Sequence, residues 1–250
     1  MGYAIDFLWR EVSNNNNSSN TTENTIVYQT KIEVYNNGRY KGQFLNNKRE
    51  GKGIMYYNDG DRYKGEWKND RKEGKGIYYY SDGERYEGEF KNGIAEGKGI
   101  YYYKNGNKYY GFWKNDKKEG KGIMYYQSGE KYEGDYKNDL KDGKGIFYYR
   151  NGNKYDGDWK NNKKEGKGIF YYQNERYEGD FKNDKKEGKG IFYYKNGDRY
   201  EGDFKNDKQD GTGVYYYRNG DREMGNFSKG EQVGKHVTLH ANGGVSSEIY

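Results

Sequence analysis

The sequence predicts an all-β protein: a single elongated, twisted antiparallel sheet built from 23-residue β-hairpin repeats. Three observations lead there. The 250 residues include 33 Tyr, 10 Phe, 4 Trp and 39 Gly but no Pro, a composition suited to many strands joined by tight turns, because each Pro removes a ladder donor. Apolar residues alternate with charged ones at a period of two, as in Tyr63-Lys64-Gly65-Glu66-Trp67, which fits a strand with one buried face. The same segment then returns along the chain at fixed spacing, with its leading Tyr at 40, 63, 86, 109, 132, 155, 177 and 200.

In chain order, residues 1–27 form a separate segment. Asn14–Asn17 followed by Ser18-Ser19-Asn20-Thr21-Thr22 is a polar low-complexity tract expected to be disordered. Ahead of it, Phe7-Leu8-Trp9 is expected to serve as a docking motif or to fold back over the first strand. The repeat array is expected over 28–245, with eight full units over 40–222. Ile32–Gly38 provides half a unit before them. A degenerate unit follows, in which Glu223 stands where Tyr leads and His236 replaces the second glycine. Stacked arrays need such altered ends. Residues 246–250 are expected to form a tail.

Within a unit, the first strand carries Tyr, Gly and an aromatic on one face. The second strand runs through Gly-Lys-Gly-Ile into three aromatics, as in Gly74 to Tyr80. A polar stretch such as Asn69–Gly74 is expected to join the two strands. The Asp82-Gly83 pair in Ser81–Arg85 is read as the hairpin turn that leads into the next unit. The sixth unit is one residue short, where Gln173-Asn174-Glu175-Arg176 lacks the turn glycine.

The pattern Tyr-x-Gly-x-Phe/Trp-x-Asn…Gly-x-Gly, carried by Tyr63, Gly65, Trp67, Asn69, Gly74 and Gly76, resembles the MORN repeat (membrane occupation and recognition nexus). The resemblance implies a twisted antiparallel sheet with a groove. It also implies roles in binding helical partner segments, in self-association and in contact with phosphoinositides. No catalytic domain accompanies the repeats within these 250 residues.

Several classes of chemistry find no support. There is no Cys, which excludes disulfides and thiolate ligands and fits a reducing compartment. His236 and His240 lack a third ligand type nearby and read as surface residues. The carboxylates recur in every unit beside Lys, whereas a catalytic pair would break the repeat. The Gly-Lys-Gly segments lead into strands, unlike phosphate loops. We therefore expect no enzyme, no cofactor and no metal. The net charge of +6 comes from interleaved charges, which argues against nucleic acid as a partner.

Departures from the repeat mark the candidate sites. Tyr110 and Phe112 stand where seven other units carry Lys, Glu, Asp or Gln, and Ile94 and Leu140 stand where Arg71 and Lys117 do. These four are the expected protein-binding residues, since apolar side chains gathered on a charged ribbon suggest contact. Lys52, Lys75, Lys98, Lys121, Lys144, Lys167 and Lys189 form a series that could hold anionic phospholipid headgroups. Phe227, Val237 and Leu239 near the last recognisable strand suggest an edge for a homodimer. The function expected is a non-catalytic scaffold that binds protein partners through its groove. Its expected location is cytoplasmic, at a cytoskeletal structure or an inner membrane face, with peripheral lipid binding as the alternative.

Overall fold

The computed structural model describes residues 27–250; residues 1–26, and with them the expectations for the N-terminal segment, lie outside the described residues. The described chain forms one 20-stranded sheet, from Gln29–Tyr35 to Val245–Ile249. Each strand pairs antiparallel with the next in sequence, so the sheet is an open meander.

The two strands of a unit meet at a two-residue turn. Asn69 and Asp70 have φ of 47° and 65°, the left-handed pair of a type I′ turn, which Asn and Asp tolerate. The strand resumes at Arg71, so the polar stretch read as a loop after Asn69-Asp70 is strand. Its charged residues made it look like a connection, yet Lys72 Nζ lies 4.5 Å from the Tyr78 ring on the core face. The Asp-Gly pair instead sits in a longer loop. The Gly83 N–H donates to the Tyr80 carbonyl, and the Tyr80 N–H donates to the Glu84 carbonyl. Gly83 supplies the positive φ of 96° that this loop needs.

Both margins of the sheet are laced between units. At the tight turns, the Arg49 N–H donates to Asp70 Oδ1 and the Lys118 N–H to Asp139 Oδ1, each at 2.9 Å. In the other direction, the Asn92 N–H donates to Glu73 Oε2 at 2.9 Å. At the opposite margin, the Ser81 N–H donates to Asp61 Oδ1 at 2.8 Å. These side chains satisfy turn amides that no ladder reaches.

The core occupies one face. Each leading Tyr is buried and lies flat over the central glycines of two strands, which pair across the sheet as Gly65↔Gly76. A Cβ on either glycine would overlap the Tyr63 ring, so only glycine fits beneath it. The Tyr63 hydroxyl donates to the Glu66 carbonyl at 3.0 Å, and the same bond recurs from Tyr40 to Tyr200. Each leading Tyr meets the aromatic of its own unit and that of the next edge-to-face. Tyr63–Trp67 and Tyr63–Phe90, for example, have centroids 5.3 and 5.0 Å apart. Such pairs contribute about 0.5–1.5 kcal/mol each beyond burial, and here they run unbroken through the array. A cation lies among these rings in most units. Lys141 Nζ stands 4.4 Å from the Trp159 ring, where burial pulls its ammonium down to about 8. Burial likewise raises the Tyr63 and Tyr132 hydroxyls above the ordinary tyrosine range.

The C-terminal end keeps the ladder by a substitution. Where Glu223 replaces the leading Tyr, the His236 ring fills the place over Gly225. Its Nε2–H donates to the Asn226 carbonyl at 2.8 Å, the acceptor that the Tyr hydroxyl serves elsewhere. The ring meets Phe227 and Tyr250 edge-to-face at 5.1 Å each, and Nδ1 lies 3.0 Å from Glu223 Oε1. His236 is thus a core residue, 1% exposed, which corrects its reading as a surface histidine. His240 sits nearer the surface, with Nδ1 3.2 Å from Asp221 Oδ2. Two further expectations change here. Residues 246–250 are not a tail, because most of them belong to the strand Val245–Ile249. That strand pairs along Glu231–Leu239, so Val237 and Leu239 do not lie on an edge, and Phe227 is buried in the ladder.

Candidate protein-binding groove

The opposite face carries the charged residues and, between them, an apolar row. Ile54, Ile77, Ile100, Ile123, Ile146, Ile169, Ile191, Val214 and Val237 occupy the same register. Charged residues flank most of them: Ile77 stands between Lys64 and Glu87, and Ile146 between Glu133 and Asp156. In the fourth unit the flanking residue is Tyr110, which pairs with Ile100 on one side and Ile123 on the other. The row becomes continuous there. Tyr110 and Phe112 are 44% and 43% exposed and wall a groove of about 630 Å³ whose floor includes Ile123 and Ile146.

The same face holds the lysine series, and all but one of its cross-strand partners are carboxylates. Across the strands Lys52 faces Glu66, Lys75 faces Glu89, and Lys121, Lys144, Lys167 and Lys189 face Asp135, Asp158, Asp180 and Asp203. The last four are ion pairs with N–O distances of 2.5–2.8 Å. Only Lys98 in the series faces an apolar residue. Its partner is Phe112, and its Nζ lies 5.6 Å from the ring centroid.

The four aspartates among these carboxylates do a second task. Register slips after the central glycine of each hairpin, as at Gly134/Tyr136, and such a bulge leaves a backbone amide without a ladder partner. Where the bulge residue is Asp or Gln, it supplies the acceptor. Asp135, Asp158 and Asp180 each take the N–H of Lys144, Lys167 and Lys189 through Oδ2. Gln43 does so for Lys52 at 2.6 Å. In the fourth unit, Phe112 has no acceptor to offer Lys121.

Of the four residues expected to bind protein, the structure brings two together. Ile94 and Leu140 pair with Lys91 and Lys137 beside the tight turns and do not line the groove. A residue at the same repeat position as Tyr110 went unnoticed in the sequence. Met224 is 46% exposed, stands between Val214 and Val237, and lines a second, more polar concavity with Glu178 and Glu201. Aligning position 110 across all units would have found it. Among the described residues, no group of three or more His, Cys, Asp or Glu is placed to hold a metal.

A meander of hairpins with a buried aromatic ladder and a patterned open face defines a repeat protein. The MORN repeat profile matches residues 40–62, 63–85, 86–108, 109–131, 132–154, 155–175, 177–199 and 200–222, and the chain belongs to that family. No curated protein matched it in sequence. Among solved structures, the TCP10 domain of Danio rerio CPAP in complex with a peptide of Danio rerio STIL is similar. Its TM-score is 0.52 at 10% identity, with 88% of this chain and 93% of that chain covered. The SAS-4 (dCPAP) TCP domain of Drosophila Melanogaster, in complex with a proline-rich motif of Ana2 (dSTIL), matches with a TM-score of 0.43 at 13% identity. That match covers 70% of this chain and 90% of that one. At 10% identity the likeness to the CPAP domain of Danio rerio is one of fold alone.

Proposed function

We propose that this chain is a non-catalytic scaffold that binds a protein partner in the groove of its fourth unit, in the cytoplasm at a cytoskeletal structure or an inner membrane face. The observation that carries this reading is the pair Tyr110 and Phe112, half exposed where the seven other full units carry Lys, Glu, Asp or Gln. A sheet that needed only to hold itself together would gain nothing from apolar residues at these two positions, because neither contributes to the aromatic core. Large exposed aromatics over an aliphatic floor are the usual anchors of protein contacts. The peptide complex of the CPAP domain supports a sheet of this kind as a peptide platform. The cytoskeletal setting rests on the family resemblance.

The lipid-tether alternative draws less support. Six of the seven lysines already face acidic residues, so their field toward an anionic headgroup is largely cancelled. The test is to immobilise the wild-type chain and Y110E/F112E and compare the proteins each retains from a lysate of its own cells. The groove reading expects partners that the wild type retains and the double variant loses. Identical sets would sink it.

A further inference from the structure

We infer that the segment bound in the fourth-unit groove carries a carboxylate, an Asp or Glu beside its apolar anchors, which takes the place of the side chain that Phe112 omits. The inference rests on the groove being a protein-binding site and concerns the chemistry of what enters it. The other units show what complements this position. In the fifth unit, Asp135 accepts the Lys144 N–H and pairs with the Lys121 ammonium. In the sixth, Asp158 accepts the Lys167 N–H and pairs with the Lys144 ammonium. Each such carboxylate joins two donors, one on either side of it, and the geometry recurs with Asp180 and Asp203. In the fourth unit the corresponding donors are the Lys98 ammonium and the Lys121 amide, and the residue between them is Phe112.

The groove therefore presents an aromatic wall, an isoleucine floor and one position left positive by a missing carboxylate. An incoming Asp or Glu over Phe112 would meet both donors in an apolar surround, where a charge-assisted hydrogen bond is stronger than in water. A basic segment would meet Lys98 unfavourably. The lining residues run from the strand of Lys98 to that of Asp156, five strand spacings or about 24 Å. That is the length of about 16 helical residues.

A library of 16-residue random peptides displayed on phage, panned on the full chain, reads the preference directly. The wild type should enrich peptides in which Asp or Glu adjoins aliphatic or aromatic residues. Their affinity should fall at least about tenfold on F112D, which restores the repeat's own carboxylate, and stay within a few-fold on F112L, which keeps an apolar wall. F112D is safe for the fold, since four other units carry Asp at that position. K98E should turn the enrichment toward Lys and Arg. Peptides that need Tyr110 and Phe112 but show no acidic enrichment would leave the groove reading standing and overturn this inference. The absence of any peptide lost on Y110E/F112E would overturn both. So would binding only to phosphatidylserine vesicles in a Lys98-dependent way.

Discussion

At the scale of single residues, the exchange at the C-terminal end is the most informative substitution in the chain. Glu223 and His236 replace a Tyr and a Gly at positions 13 residues apart, and together they rebuild the same packing. The ring over Gly225 now comes from the second strand instead of the first, and the Asn226 carbonyl keeps its donor. Glu223, 6% exposed, is held by the Tyr217 hydroxyl, Gln232 Nε2 and His236. The pair is interdependent, which sets a prediction. H236G alone should leave a cavity and a buried carboxylate short of a partner, costing about 2–4 kcal/mol. E223Y alone should force a second ring into the place His236 occupies. E223Y/H236G together should recover most of the loss, giving a coupling of about 2 kcal/mol or more. Hydrogen exchange of the strands Arg222–Ser228 and Glu231–Leu239 measures it locally; additive effects would contradict the ladder account. The sequence discloses that both positions depart from consensus. It does not disclose that one departure compensates the other, because that depends on where a ring from the facing strand lands.

At the scale of the hairpin, most of the structure was legible. The alternation around Tyr63, Gly65 and Trp67 identified the buried face, and the paired glycines and aromatics of each unit fell into register as the period required. The turns were less legible, because Asn69-Asp70 and the first residues of the strand after it, Arg71-Lys72-Glu73, are all polar. Polarity alone does not distinguish a connection from an exposed strand. The positive φ of both turn residues and the reach of Asp70 and Asp139 to the preceding unit give this position two separate jobs. They can be separated at Asp139, whose φ is 70°. D139G keeps the backbone geometry and removes the bond to Lys118, and should cost about 0.5–1.5 kcal/mol. D139A also strains the turn and should cost about 1 kcal/mol more. Urea unfolding orders the three proteins; a D139G variant as stable as wild type would mean that the lacing between units contributes nothing.

At the scale of the whole molecule, the array is a nearly uniform sheet in which stability sums over neighbouring units, so its exceptions stand out. The two ends differ from the middle for reasons of capping. Tyr110 and Phe112 differ without any such reason, and the repeat itself made them visible. The face that holds the groove was not legible, since both faces of the second strand carry aromatics; it became so once the leading tyrosines were seen to fill the other. Ile94 and Leu140 looked equivalent to Tyr110 in sequence, yet they lie beside the turns, away from the floor that Ile123 and Ile146 form. The central claim is that partners enter at this one unit. A photo-crosslinking side chain placed at 110, and separately at the equivalent positions 64 and 178, tests it most directly in the cell of origin. The account predicts a protein crosslinked from position 110 and none from 64 or 178. Equal crosslinking from all three, or none from 110, would contradict it.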